Sequence, residues 1–349
     1  MTIYSLNPLT DPRWPELLER HKDASVFHTR EWITALARTY CYTPIVYTTC
    51  PPDSPLTNGV VFTEVNSRLT GSRLVSLSFS DHCQPLVNSM NDLEEILDSL
   101  IESKSRQGWK YIQIRPFSIN GSRLEALPSC HVSEKYYCHQ LDLIPEEDVL
   151  LKSFHKDCIK RPIRRAERER LVYREENSET TLDAFYRMLL MTRRKHQLPP
   201  QPKKWFHTLM HSLGNKMKIR IAYKEKQPVA GIVTLSFKHT HYYKYGCSDP
   251  KYKKYGGSVA LLWRAMREAR ADGATVFDLG RSGIEHTSLT QFKDRWGTQR
   301  IPLWYYSAGD TLSLDQNGSW KVKLVKSLFS HLPDPVLKFM GTVLYKHMG

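Results

Sequence analysis

From residue 240 to residue 280 the chain reads strand, basic glycine turn, helix, strand, an order that few folds accommodate. Tyr242-Tyr243-Lys244-Tyr245-Gly246-Cys247-Ser248-Asp249 has the aromatic content of a strand. Lys253-Lys254-Tyr255-Gly256-Gly257-Ser258 follows, and an amphipathic helix is expected over 258–272, stopped by Gly273. Residues 274–279 read as the next strand, with Phe277-Asp278-Leu279-Gly280 at its C-terminal end. Phe292-Lys293 and Trp296-Gly297 then form a second basic loop. Glycine lets a backbone approach a phosphate closely, and the positive end of a helix and nearby lysines favour an anion there. The segment therefore suits an acyl-transfer enzyme whose donor carries phosphates.

The surrounding pattern alternates helices and strands in both halves, which indicates an α/β (α+β) fold. Upstream of the turn, strands are expected over 218–224, 229–237 and 240–246, with Gln227-Pro228 in a tight turn. Leu182, Phe185, Tyr186, Leu189 and Leu190 recur at helical spacing after a Thr180–Asp183 capping box. Trp205, Leu209 and Leu213 mark a further helix beyond the proline-rich 198–202. In the first half, a helix over 31–37 follows a Thr29 cap, and strands are expected over 45–49, 59–65 and 109–115. A helical stripe runs from Leu93 to Ser105, ended by Gly108. These elements divide into domains at 1–150 and 151–309. A basic amphipathic tail, 310–349, could lie on a membrane face or pack on the first domain.

At 349 residues, 40% hydrophobic and 25% charged, the chain is long enough for two ordinary domains. A net charge of +14 favours polyanionic partners: phosphorylated donors, nucleic acid or an anionic membrane surface. Seven scattered cysteines, none in a CxxC pair, argue against a disulfide framework or a zinc site and for a reducing compartment, and no metal is expected. No signal peptide or apolar membrane span is evident, so a cytoplasmic protein is expected.

A second basic feature lies between Lys152 and Arg174. Arg161, Arg164, Arg165 and Arg168 fall on one helical face, with Pro162 in the first turn. That stripe suits a diphosphate or an RNA backbone. Lys293 could be a functional cation or a solvated surface lysine. Asp278 could orient a lysine, act as a base or cap a loop. Tyr245 could donate to an oxyanion or simply pack, and Phe292 could shape the donor site or be core.

The turn resembles the GNAT acyltransferase phosphate loop, Arg/Gln-x-x-Gly-x-Gly/Ala. Lys253 stands at the basic position, Gly256 matches, and Ser258 replaces the last small residue. The wider set resembles the FemABX aminoacyltransferases: Tyr245-Gly246 with Ser248-Asp249, Leu262-Trp263, Phe277-Asp278-Leu279-Gly280, Phe292-Lys293, Trp296-Gly297 and Arg161-Pro162-Ile163-Arg164-Arg165-Ala166. The pattern is most similar to FemAB-like proteins of exopolysaccharide and exosortase clusters. The similarity covers residues 150–308 and is fainter over 25–90, where Val26–Trp32 and Phe79–Cys83 carry it. Trp32 is followed by Ile33-Thr34-Ala35-Leu36-Ala37, where the family has a lysine for the acceptor's phosphates.

The resemblance implies two GNAT-like domains with mixed sheets flanked by helices. It implies transfer of an aminoacyl group from aminoacyl-tRNA to an amine of a phosphorylated cell-envelope precursor, related to peptidoglycan or exopolysaccharide. No tightly bound cofactor is implied. Lys293, Asp278 and Tyr245 become the catalytic candidates. Lys253, Lys254, Gly256, Gly257, Ser258 and Phe292 become the donor-binding set, and Arg161, Arg164, Arg165 and Arg168 the substrate-binding stripe. An acyl-CoA-dependent N-acyltransferase is the alternative enzyme. A non-catalytic RNA- or membrane-associated protein on the same fold is the alternative outside enzymes. The tail would give peripheral contact with the inner membrane face.

Overall fold

A computed structural model describes residues 2–119, 121–309 and 332–349. Contacts divide the chain into two compact units. The first holds the chain to Tyr136 with, among the described residues, 302–309 and Leu344–Gly349; the second holds Tyr137–Ile301 and 332–343. The division therefore falls earlier than 150, and residues 302–309 return to the first unit instead of closing the second.

The first unit contains β1 (Tyr4–Leu6), β2 (Thr43–Thr48), β3 (Val60–Ser67), β4 (Gly71–Val75), β5 (Trp109–Ile114) and most of β12 (Gln299–Gly309), in the order β1-β2-β3-β4-β5-β12. Its helices are α1 (Arg13–Arg20), α2 (Arg30–Tyr40), α3 (Met90–Gln107) and the short α4 (Gly121–Glu125). Thr29 caps α2 by accepting from the Trp32 N–H, as its position predicts. Gly108 ends α3 at φ 71°, a left-handed stop that glycine adopts without penalty. Trp14, Phe27, Trp32 and Phe62 are fully buried in this unit.

The second unit contains β7 (Val172–Glu175), β8 (Met217–Lys224), β9 (Gln227–Phe237), β10 (Thr240–Ser248) and β11 (Val276–Gly283). Strand β6 (Cys130–Asp142) leads the chain into it, and the order is β6-β11-β10-β9-β8-β7. Its helices are α5 (Glu147–Ser153), α6 (Arg161–Arg168), α7 (Glu179–Lys195), α8 (Lys203–Leu213), α9 (Gly257–Ala271) and α10 (Thr287–Asp294). The three expected central strands and α9 fall within about two residues of their predicted bounds. Helix α7 starts earlier than expected. Ser178 caps it through the Thr181 N–H, in place of a Thr180–Asp183 box.

The two units repeat one plan. Each has antiparallel strands followed by a parallel pair joined through a helix: β2-β3-β4, α3, β5 in the first, and β8-β9-β10, α9, β11 in the second. This is an internal duplication of structure. A helix crossover between parallel neighbours places its N-terminus at the C-terminal edge of the sheet, where ligands of α/β folds gather.

Among the described residues no helix is long and apolar enough to cross a membrane. Of the tail, the stretch 310–331, with the expected helix around Val322–Phe329, lies outside the described residues. Helix α11 (Asp334–His347) follows. The buried Arg73 donates to the carbonyls of His347 and Gly349, and the Tyr42 hydroxyl to that of Tyr345. In the second unit Arg194 donates to the Leu332 carbonyl at 3.0 Å and pairs with Asp334. Val336, Phe339 and Val343 stay exposed on α11.

Candidate active site

The parallel pair of the second unit opens. Strands β10 and β11 are in register over only three positions, Thr240–Val276, His241–Phe277 and Tyr242–Asp278. Beyond them β10 runs on to Ser248 and β11 to Gly283 with no pairing between the two. In the first unit the corresponding pair continues, through one register shift between Ser72 and Leu74, to the end of β4 at Val75–Gln113. Asp278 therefore sits near the start of its strand, not at its C-terminal end as expected, and marks the point where the sheet parts.

Asp278 is buried, and its carboxylate is well occupied. It accepts from the Gly280 N–H at 2.6 Å and from Gln140 Nε2 at 3.2 Å, with Cys138 Sγ at 3.5 Å. Gly280 has φ 74°, a left-handed kink inside a strand that only glycine takes easily. The kink has a consequence. Consecutive carbonyls of a regular strand point to opposite sides, yet here Gly280 O and Arg281 O both accept from Lys293 Nζ, at 2.9 and 2.7 Å. Lys293 is 4% exposed. The solvated-lysine alternative is thereby excluded: α10 carries a buried ammonium that is fixed on the opened strand. One glycine residue thus joins the two charged candidates, its N–H donating to Asp278 and its C=O accepting from Lys293.

Buried polar atoms without a hydrogen-bond partner occur on the same elements. Among the described residues they include both ring nitrogens of His139 on β6, Ser282 Oγ on β11 and Thr290 Oγ1 on α10. His139 Nδ1 lies 3.3 Å from Asp294 Oδ1 without the alignment of a hydrogen bond. Burial, and then the positive charge of Lys293, pushes the His139 pKa down to about 4, so the ring is neutral at pH 7. A buried polar group without a partner costs about 1–3 kcal/mol, and such groups collect at functional sites. Sequence reasoning missed His139, Ser282 and Thr290, because isolated polar residues in apolar strands give no periodic signal.

The glycine turn lies at the same edge of the sheet, since it follows β10. Residues 250–255 form a short 3₁₀ helix, and Gly256 caps α9 at φ 76°. A Cβ on Gly256 would meet the Pro162 carbonyl oxygen at 2.3 Å. A Cβ on Gly257 would meet Ala230 Cβ at 3.1 Å. The close approach at Gly256 brings α6, with its arginines, against the start of α9. Arg161, Arg164 and Arg168 are exposed, while Ile163 and Ala166 are buried on the opposite side. Arg161 pairs with Asp157 and Arg165 with Glu169. Among the described residues Arg164 and Arg168 have no ion pair. Lys253 and Lys254 are exposed beside them, and Ser258 is half-buried in the first turn of α9.

The corresponding helix of the first unit is built differently. Ser89 caps α3 through the Asp92 N–H, and Asp92 adds an acid to the first turn. That end is closed to an anion by its own side chains. Helix α9 has neither a side-chain cap nor an acid in its first turn. Of these two corresponding helix starts, that of α9 is the one left open to an anion.

Two expected site residues go elsewhere. The Tyr245 hydroxyl accepts from Trp205 Nε1 at 2.8 Å, and its ring packs edge-on against Phe206, 4.9 Å between centroids. Phe292 packs on Trp296 at the margin of the core. Both are placed by packing.

Residues 153–294 match the family model described as an acetyltransferase (GNAT) domain, a span that holds α6, the glycine turn, the opened strands and Lys293. No curated protein matches the chain. Among solved structures, the crystal structure of FemX is similar at 14% identity and a TM-score of 0.67, covering 87% of this chain and 97% of FemX. L-PGS from Bacillus licheniformis is similar at 13% identity and 0.57, covering 94% and 99%. A tandem GNAT protein from the clavulanic acid biosynthesis pathway is similar at 8% identity and 0.56, covering 89% and 99%. These likenesses establish the fold.

Proposed function

We propose that the GNAT acyltransferase domain of this chain moves an aminoacyl group from an aminoacyl-tRNA-type donor to an amine of a phosphorylated cell-envelope precursor. The observation that carries this reading is the opening of β10 from β11 at Asp278, at the sheet edge where α9 begins behind a glycine turn and an arginine helix. An extended donor arm would enter between the parted strands, whose peptide groups offer hydrogen bonds along it. Its phosphates would lie on the start of α9 and on Arg164, Arg168, Lys253 and Lys254.

The amine attacks the ester carbonyl, an oxyanion forms, and the amine loses a proton while the tRNA hydroxyl leaves. Lys293 contributes fixed positive charge near the strand kink, in a site of low dielectric where such charge acts strongly on a developing oxyanion. His139 is neutral at pH 7 and open to a proton, but a ring pushed down to about 4 is a weak base, so the amine must enter already uncharged. Asp278 holds the kink and is a positioning residue. FemX and L-PGS as fold relatives support aminoacyl over simple acyl transfer. The exposed Val336, Phe339 and Val343 support peripheral contact with the cytoplasmic membrane face.

A second reading, an acyl-CoA-dependent N-acyltransferase, is favoured by the acetyltransferase match and the tandem GNAT relative. It needs the same turn but only one groove. Titration of the protein with charged tRNA, uncharged tRNA and acetyl-CoA at two salt concentrations separates the two. Tight, salt-sensitive binding that prefers charged tRNA is expected. Saturable acetyl-CoA binding with no preference for charged tRNA would replace the first reading by the second.

A further inference from the structure

Helices α7 and α8 meet at a cluster that the acyl-transfer reading does not use. His207 and His211 lie one turn apart on α8, so both rings leave the same face. Their Nε2 atoms are 3.2 Å apart. Glu179, in the first turn of α7, places Oε1 3.1 Å from His207 Nε2 and 3.9 Å from His211 Nε2. The three donor atoms lie within 4.8 Å of one another.

A tetrahedral zinc ion about 2.0–2.1 Å from each of its ligands holds them roughly 3.3–3.4 Å apart. The observed separations straddle that value, so small side-chain rotations suffice. Without a cation, the two imidazoles can share only one N–H···N bond. The nearest lysine does not block the cluster. Lys203 Nζ is 2.7 Å from Asp183 Oδ1 and only 3.7 Å from Glu179 Oε2, which leaves Oε1 facing the histidines. Glu179 is itself held in place, since Ser178 caps α7 through the Thr181 N–H. All three side chains are exposed, so a cation reaches them without unfolding.

We propose that Glu179, His207 and His211 bind a first-row divalent cation, with zinc the best fit to two imidazoles and one carboxylate and with water completing the tetrahedron. The cation would pin the first turn of α7 to α8 and so stabilise the helical layer over β8–β10. The donor set comes from histidines one turn apart and a carboxylate from another helix, which is why cysteine spacing gives no sign of it.

The test is a zinc titration of tag-free, chelator-treated full-length protein against a chromophoric competitor, with a parallel cobalt absorption spectrum. One equivalent bound, a tetrahedral cobalt spectrum without thiolate charge transfer, and a rise in melting temperature are expected. His207→Ala and His211→Ala should each weaken binding by about tenfold or more, and Glu179→Gln by less. Circular dichroism checks that the variants fold, which exposed helix positions allow. Absence of saturable zinc binding below about 100 μM, against the far tighter binding of built zinc sites, would overturn the proposal. So would affinity unchanged in both histidine variants, which would place the metal on the thiols.

Discussion

Lys293 shows how one buried charge can be both structural and chemical. Its ammonium satisfies the two carbonyls that the Gly280 kink aligns, so removing it leaves both without that donor. Lys293→Met should destabilise the protein by about 2–3 kcal/mol, since each orphaned acceptor costs on the order of 1–3 kcal/mol. If Lys293 also stabilises the oxyanion, the transfer step should slow by about 100-fold or more, beyond any loss of folded protein. Urea unfolding and single-turnover transfer on the same preparation separate the two effects. A transfer rate within a few-fold of wild type in folded Lys293→Met would assign the lysine to architecture alone.

Among elements, the junction of α6 with the start of α9 is the most sensitive to a single atom. Gly256→Ala must accommodate both a left-handed backbone and a Cβ 2.3 Å from the Pro162 carbonyl, which is backbone and cannot swing away. Gly108 has a similar φ with nothing within 4 Å of its added Cβ. Gly108→Ala should therefore cost about 1 kcal/mol and Gly256→Ala clearly more, about 2 kcal/mol or above. Denaturant midpoints of the two variants give the comparison, and equal losses would mean that α6 does not press on the turn. The arginine face makes a separate prediction. Arg164→Ala and Arg168→Ala should change stability by less than about 0.5 kcal/mol. Each should lower the slope of log K against log salt for donor binding by about one. Filter binding across a salt series reads that slope, and an unchanged slope would remove α6 from the donor site.

Across the whole molecule, buried neutral histidines set the response to acid. His28 in the first unit and His139 and His241 in the second are each pushed down to about 4, chiefly by burial. The ordinary histidine value is 6.5, so between about pH 6.5 and 4 the unfolded chain takes up protons that the native protein refuses. Stability is therefore full above pH 6.5 and falls as pH drops toward 4. For His28, whose ring is bonded to Ser25 and the Gln84 carbonyl, the slope approaches about 1.4 kcal/mol per pH unit. The other two act in the same direction. Urea unfolding at pH 7, 6 and 5 measures this, and a flat profile would show that these rings titrate normally in the fold.

The most regular elements of both units are legible because their periods are strong. Strands β8–β10 and helices α3 and α9 lie close to where apolar spacing puts them. Strands β6 and β12 give no such signal, because Cys130–Asp142 and Gln299–Gly309 mix polar and aromatic residues without clean alternation. Without them the sequence pattern divides the domains near 150 and 309, where contacts divide them at 136 and 301. The glycine turn, the arginine face and Lys293 were visible as residue types, but their meaning was not. For Lys293 the sequence leaves a functional cation and a solvated lysine both open until the kink at Gly280 is seen to bury it. For Tyr245 it leaves an oxyanion donor and a packing residue both open, and the structure shows a ring buried against Phe206 whose hydroxyl accepts from Trp205.

By itself the sequence determined what depends on neighbours along the chain: the helix and strand periods, the caps at Thr29 and Gly108, and the basic turn at the start of α9. The tertiary structure decided what depends on residues distant in sequence. It placed Pro162 against Gly256, parted β10 from β11 at Asp278, and made a neutral partner-poor histidine of His139. It also brought Glu179 to His207 and His211. Local conformation is set by steric and capping terms that reach only a few residues. Burial, charge and donor geometry come from contacts across the sheet, which no local pattern encodes.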